Sequence, residues 1–486
     1  MIALTLTELE EVLGGRLVLP PGADSRQGIS GSVETDSRLV SAGSVFFALP
    51  GEVTDGHLFA PEAVAAGAAL VIVQRELDLA VPQLVVADGL AALAALARNV
   101  VARVRALGTL RVIGITGSNG KTTTKNLLRA ILDPEGPTIA PPGSFNNQVG
   151  APISMLRIDE STEYLIVEMG ASGVGEIARL VSIATPDVAV VLKVGLAHAG
   201  EFGGIEATQR AKAELVTELP PDAVAVLNVD DPRVAVMTEQ TAARVAFFGL
   251  SAGSDVRAEE VHASATGTRF ALAVDGERYD VQLRILGEHH VSNALAAIAA
   301  ARELGVPVER AIAAVEAVPR AERWRMEVLD PGTGIVVIND AYNASPDSTA
   351  AALKTLAQIV APGQRSVAVL GEMAELGEYA AEEHDRIGRL AVRLNIGKLY
   401  VVGEGARRIQ AAAGLEGSWD GESVFVADID RAYDLLREEL RPGDVVLVKS
   451  SKSAGLRFLG DRIGGVDSVE DRPDTDGLRP SNGVTA

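Results

Sequence analysis

The sequence predicts an α/β protein of three domains with mostly parallel sheets. Short β-branched runs at 111–116, 164–169, 188–194 and 224–228 alternate with stretches of helical spacing, such as Ile387, Leu390, Ala391 and Leu394. Strand–helix alternation of this kind builds βαβ units, whose crossovers set the strands parallel. A chain of 486 residues can bury about three cores. Its 49 glycines and 22 prolines supply the turns between elements.

Taken in order, residues 1–108 form a first block, rich in small residues and ending in the alanine-rich helical segment 89–107. A second block, 109–319, opens with the strand 111–116. The third, 320–465, carries its own strands at 335–339, 366–370, 399–402 and 445–449, and strand–helix alternation there predicts a Rossmann-like domain. Residues 466–486 hold five acids and two arginines with little to bury, which predicts a disordered acidic tail.

Composition excludes several classes. There is no cysteine, so a disulfide framework and thiolate chemistry are out. A net charge of −21 leaves no room for a large basic face, and nucleic acid and anionic membrane are not expected partners. The opening MIALTLTELEEV places glutamates where a signal peptide needs lysine or arginine, and no run of 18 apolar residues exists. The expectation is a cytoplasmic protein that does not insert into membranes.

The strongest motif is GITGSNGKTTT, from Gly114 to Thr124, between the apolar strand LRVIGIT and the helical pattern KNLLRAIL. A phosphate-binding P-loop needs this context. Glycines let backbone N–H groups cradle phosphates, Lys121 offsets their charge, and the Thr122 hydroxyl can ligate Mg²⁺. Five residues separate Gly114 from Gly120 where the strict motif has four, so the loop is a variant. ATP or GTP binding follows, with Gly117, Ser118, Asn119, Gly120, Lys121, Thr122 and Thr123 as its residues. The second block is therefore expected to be a P-loop parallel-sheet ATPase domain.

Glu168 closes the apolar run EYLIVEMG, where a parallel sheet presents its ligand-facing residues. It reads as a Mg²⁺-holding acid or as a helix-capping surface acid. His198, in a glycine-rich loop after the next strand, reads as a metal ligand or as an ordinary satisfied polar residue. Lys212, within ATQRAKAELVTEL, reads by itself as a solvated helix lysine. Asn228 with Asp230 and Asp231 reads as a turn and helix cap.

Together these residues resemble the ATP-dependent Mur ligases, the amide-forming enzymes of peptidoglycan precursor assembly, over nearly the whole chain to about Gly465. The family loop TGxxGKTT is matched by residues 116–123, its strand-end glutamate by Glu168 and its next-strand histidine by His198. Lys212 in AKAE matches the family lysine that is carbamylated into an extra metal-binding carboxylate. That chemistry is reasonable, because a desolvated lysine gives up its proton readily and the free amine takes up CO₂. Asn293 in HHVSNALAA matches the adenine-side asparagine, and the resemblance places Arg325 and Asp340 at the ribose and phosphate edge.

Within the family, Asp36-Ser37-Arg38 with GSVFFALPG (43–51) and DGHLF (55–59) resembles a shared uridine-binding domain, which implicates Ser37 and Arg38. NDAYNASPDS (339–348) resembles the D-A-Y-N-A-N-P-D-S signature of the member that adds D-alanyl-D-alanine, which implicates Tyr342 and Asn343. GEMAELG (371–377) with His384 resembles that member too. So does NNQVG, whose Asn146 and Asn147 lie in the loop expected to approach the muramyl substrate. Two departures stand out: Ser345 replaces the usual asparagine, and KSSK (449–452) replaces K-G-S-R.

The resemblance implies one ligand per domain: the uridine nucleotide in the first, ATP in the second, D-alanyl-D-alanine in the third. The terminal carboxylate of UDP-N-acetylmuramoyl-tripeptide would attack the γ-phosphate, and the dipeptide amine would then displace phosphate from the acyl phosphate. Two Mg²⁺ ions are expected, one on Thr122 and Glu168, the other on His198 and carbamylated Lys212. With Lys121 they offset the repulsion between carboxylate and triphosphate. A monomer is expected, its third domain closing about a hinge near 319–325 to keep water from the acyl phosphate. Two alternatives stand beside this reading. Another Mur-type or a folylpolyglutamate-type ligase is disfavoured by 342–346 and by Ser37-Arg38. A non-catalytic nucleotide-binding scaffold is disfavoured by Lys121, Glu168, His198 and Lys212 occurring together.

Overall fold

A computed structural model describes residues 1–466 apart from 52, 53, 142, 198, 321 and 418. His198 and the tail from 467 onward lie outside the described residues. Three large sheets follow one another along the chain.

The first has five strands in the order Arg16–Val18, Gln83–Val85, Leu70–Val73, Val45–Phe47, Val33–Glu34. All neighbours are parallel except the Arg16–Val18 edge. The helix that ends this block, Gly89–Arg105, opens on an Asp88 cap whose side chain accepts from the N–H groups of Leu90 and Ala91.

The central sheet has nine strands: Glu277–Leu283, Gly267–Val274, Val256–Ser264, Arg244–Gly249, Val224–Asn228, Val188–Val191, Arg111–Thr116, Tyr164–Glu168 and Thr138–Ile139. From Val256–Ser264 to Thr138–Ile139 every pairing is parallel. The three-stranded meander 256–283 adds an antiparallel edge that the sequence reading did not separate from the parallel run. Side chains alternate between two cores, as a pleated strand requires. Val112, Leu165 and Val191 face one core, while Ile113, Ile115 and Ile166 face the other with Leu127, Leu128 and Ile131 of helix Lys121–Leu132. The first of these cores also holds Leu93, Leu96 and Val100 of Gly89–Arg105. The first block thus shares an apolar core with the second, and Arg98 and Arg105 bind across to Ser182 and Asp187.

The strand expected over 188–194 ends at Val191. Leu192 N still donates to Thr116 O, and from Val194 the N–H groups turn to side-chain partners: Val194 N donates to Asp231 Oδ2 (2.8 Å) and Gly195 N to Ser118 Oγ (2.9 Å). Asp231 also caps the following turn through Arg233 N, and Asn228 Nδ2 donates to Leu192 O. The turn-and-cap reading of 228–231 therefore holds.

The third sheet orders six strands as Glu327–Leu329, Val336–Asn339, Asp444–Lys449, Arg365–Leu370, Lys398–Val402, Glu422–Val426, parallel apart from the first pair. Ahead of it, Trp324 and Met326 adopt left-handed backbone angles (φ 55° and 50°), which for non-glycine residues costs about 1–3 kcal/mol each. Asp461 Oδ2 holds this segment by accepting from Trp324 Nε1 (2.9 Å) and Arg323 Nη2 (2.8 Å). No described helix is long and apolar enough to cross a membrane.

Candidate active site

Strand Arg111–Thr116 lies between Tyr164–Glu168 and Val188–Val191, so the chain order reverses across it. In open parallel sheets ligands bind at the carboxyl ends of strands beside such a reversal. The glycine loop starts at that end. Gly120 is left-handed (φ 90°) and caps helix Lys121–Leu132; a Cβ there would be strained and would strike Asn293 Oδ1. This close approach brings the predicted Asn293, on helix His289–Glu303, against the loop. Lys121 Nζ arches back to donate to Gly117 O (2.7 Å). Burial lowers its pKa below that of an ordinary lysine, Glu168 opposes that shift, and Arg325 reinforces it.

Glu168 is 0% exposed and sits in register with Ile115. Its Oε2 accepts from Thr122 Oγ1 (3.4 Å), and its Oε1 has no hydrogen-bond partner among the described residues. Thr122 Oγ1 also meets Ser144 Oγ at 2.9 Å, and Arg325 Nη2 donates to both hydroxyls at 3.2 and 3.3 Å. A buried carboxylate with one oxygen free of hydrogen bonds beside a hydroxyl suits a hard cation such as Mg²⁺, which takes one or two carboxylates and fills its shell with water and phosphate oxygens. Among the described residues no group of three His, Cys, Asp or Glu could hold a metal ion.

Sequence reasoning passed over Lys125. It is 1% exposed, donates to Pro141 O and Gly143 O (2.7 Å each), and lies 3.5 Å from Glu168 Oε1. The readable signal was its spacing, one helical turn after Lys121. By these bonds it ties the 141–144 segment, and with it Ser144, to the loop helix.

The solvated reading of Lys212 is overturned. It is 3% exposed on helix Ile205–Thr217, with Nζ 5.6 Å from the Phe202 ring centroid. Burial, and secondarily the charge on Lys121, pull its pKa down to about 7. A large fraction of neutral amine at neutral pH is the chemical prerequisite for carbamylation.

The third sheet reaches the same loop. Lys449, buried, donates to Asp340 Oδ2 (2.6 Å) and Asn343 O (3.0 Å). The Tyr342 ring centroid lies 4.4 Å from the Arg325 guanidinium and 5.4 Å from Lys452 Nζ. Ser451 Oγ accepts from Ala374 N, and His384 Nε2 accepts from Met373 N, so Ser451 and His384 both brace the 371–377 loop. Gly200 N donates to Glu375 O (3.0 Å) across to that loop.

Other predicted residues stand apart from the phosphate loop or serve local structure. Ser37 Oγ donates to Glu62 Oε2 (3.0 Å) and Arg38 pairs with Asp36, both within the first block. Asn147 Oδ1 accepts from Gly150 N (2.8 Å) ahead of helix Gly150–Met155, and Asn146 O accepts from Gly170 N just past Glu168. His290, also missed, is buried with Nε2 unpartnered among the described residues and its Nδ1 3.2 Å from Asn293 Nδ2.

Family models account for most of the chain: "Mur ligase family, catalytic domain" over 31–111, "Mur ligase middle domain" over 115–301 and "Mur ligase, glutamate ligase domain" over 324–452. The chain belongs to the Mur ligase family. It is 47% identical over 503 aligned positions to the UDP-N-acetylmuramoyl-tripeptide–D-alanyl-D-alanine ligase of Mycobacterium tuberculosis, covering 95% of this chain and 98% of that one. Among solved structures, a crystal structure of MurF from Acinetobacter baumannii superposes with a TM-score of 0.84 at 32% identity, covering 96% and 99% of the two chains. MurF from Thermotoga maritima in complex with ADP gives 0.79 at 28% identity, covering 90% and 98%.

Proposed function

We propose that this chain joins D-alanyl-D-alanine to UDP-N-acetylmuramoyl-tripeptide at the expense of ATP, a step in building the peptidoglycan precursor of the cell wall. The observation that carries the reading is the convergence of Lys121, Thr122, Glu168 and Arg325 at one strand end, with Arg325 arriving from the segment that leads into the third sheet. It is supported by the near full-length likeness to the mycobacterial ligase.

The tripeptide's terminal carboxylate attacks the γ-phosphorus, the bond to the β,γ-bridging oxygen breaks, and ADP leaves with that electron pair. The dipeptide amine then attacks the acyl phosphate carbonyl and loses a proton, and inorganic phosphate departs. The loop N–H groups and Lys121 hold the triphosphate, while Arg325 adds a second positive charge where negative charge spreads. Thr122 and Glu168 would hold one Mg²⁺, and carbamylated Lys212 with His198 a second; the ions supply charge neutralisation at the phosphates. Asn293 serves the adenine side, and Asp340 the ribose and phosphate edge. Ser37 and Arg38 serve the uridine nucleotide, Asn146 and Asn147 the muramyl peptide, and Tyr342 and Asn343 the dipeptide. The domain assignment 1–108, 109–319 and 320–465 belongs to this proposal, as do a monomeric state and a cytoplasmic location.

Phosphate release from ATP with Mg²⁺ tests it. Turnover is expected only when tripeptide and D-alanyl-D-alanine are both present, with a product heavier by one dipeptide residue (the dipeptide less water), and Lys121→Ala is expected to lower it at least ~100-fold. Turnover with L-glutamate or single amino acids instead of the dipeptide would move the enzyme elsewhere in its family. Unchanged ADP production by Lys121→Ala would overturn the catalytic assignment.

A further inference from the structure

The family-unusual Ser345 occupies a junction. It is 3% exposed and caps helix Pro346–Ile359: its Oγ accepts from Ser348 N, and its own N–H donates to Ser348 Oγ. The hydroxyl proton has two acceptors in reach, Ser348 Oγ at 3.1 Å within the cap and, slightly nearer, Asn119 Oδ1. Ser345 Oγ donates to Asn119 Oδ1 of the phosphate loop at 3.0 Å, across 226 residues of chain. The contact is part of a built interface. Asp347, two residues on, pairs with Lys193 at 3.3 Å and packs so closely on Gly195 that a Cβ there would strike Asp347 Oδ2. Gly195 in turn exchanges hydrogen bonds with Ser118 Oγ in both directions.

What this does to Asn119 follows from amide chemistry. An amide presents an acceptor on one side and two donors on the other, and only its partners decide which way it points. With Oδ1 committed to Ser345, Nδ2 is buried, without a partner among the described residues, in a loop built to hold phosphate. A buried donor left unmatched is unfavourable, a deficit that a phosphate oxygen removes. We infer that Ser345 is a positioning residue: by holding Asn119 Oδ1 it orients Asn119 Nδ2 as an additional donor to the nucleotide phosphates, and so links seating of the third sheet to the phosphate loop. Ser345 itself touches no reacting atom.

This rests on the nucleotide-site reading above, and the test separates the two. Affinity for ADP and for a non-hydrolysable ATP analogue with Mg²⁺, together with kcat and KM for ATP, would be measured in the wild-type chain, Ser345→Ala, Asn119→Ala, the double variant and Ser345→Thr. One neutral hydrogen bond corresponds to about a three- to tenfold change. Ser345→Ala is expected to weaken analogue binding or kcat by that factor in the wild-type background and by less than about twofold once Asn119 is alanine. Ser345→Thr, which keeps the hydroxyl, should stay within about twofold of wild type. A purely structural cap would lower the unfolding midpoint, yet its effect would multiply with that of Asn119→Ala; multiplicative effects therefore overturn the proposal, as does an unchanged Ser345→Ala. If the wild-type chain binds nucleotide but does not ligate, the functional reading fails while the affinity cycle still decides the role of Ser345. If it does not bind nucleotide, both fail.

Discussion

Replacing Lys212 by methionine tests whether burial holds a near-neutral amine beside the phosphate loop. In the folded chain the Lys212 pKa falls from 10.5 to about 7, chiefly through burial and secondly through Lys121. At ~1.36 kcal/mol per pKa unit, that displacement is worth about 5 kcal/mol, an upper figure because it takes the whole shift as differential solvation. The folded pKa is depressed below the unfolded one, so between pH 7 and 10.5 the unfolded chain binds a proton that the folded chain lacks. Stability supplied through this group therefore rises with pH across that window and falls away as pH drops toward 7. Below about pH 7 both states are protonated and the full destabilisation applies. Methionine keeps an unbranched apolar stem against Phe202 without the charge. In CO₂-free buffer, between about pH 7.5 and 9, unfolding free energy of the wild-type chain should climb about 2 kcal/mol more than that of Lys212→Met, read from paired urea titrations. Bicarbonate should then stabilise the wild-type chain further by carbamate formation and leave the variant unmoved. Parallel stability–pH curves for the two chains would refute the reasoning.

Lys125→Met strips two 2.7 Å bonds from Pro141 O and Gly143 O and leaves Glu168 without its nearest cation. A loss of about 3–5 kcal/mol is expected, with a larger rise in KM for the muramyl substrate than for ATP because segment 141–147 loses its anchor; an unchanged melting midpoint would contradict this. Gly120→Ala should weaken ADP binding at least tenfold by calorimetry, since the left-handed angle costs about 1–2 kcal/mol and the new Cβ strikes Asn293. Gly108→Ala is its control, being left-handed too (φ 91°) with nothing within 4 Å of the added Cβ; it should lose stability alone, and equal ADP affinities for the two variants would count against the Asn293 contact.

Strand positions were legible because alternation along a buried strand is a local property: 111–116, 224–228 and the start of 164–169 all read correctly from their β-branched runs. The phosphate loop was legible for the same reason, since glycine spacing, a following lysine and a flanking strand and helix all lie within about twenty residues. Where a strand stops is less local. Past Leu192 the run still reads as strand, yet Lys193 O is taken by Ser118 N and Val194 N by Asp231, partners that only folding brings near. The antiparallel meander escaped notice because alternation does not report strand direction.

Among site residues, Lys121, Thr122 and Glu168 could be named from sequence because loop and strand end already imply where they point. Lys212 could not be read as buried, since the pattern ATQRAKAELVTEL is equally that of a solvated helix; its low pKa is set by burial first and by Lys121 second. Likewise the sequence marked Ser345 as unusual but could not say what it touches. The sequence by itself determined the elements, the phosphate loop and the charges available. Tertiary structure alone decided which charges lost their water and which residues met across two hundred positions, because desolvation and directional bonding depend on neighbours that the linear order does not specify.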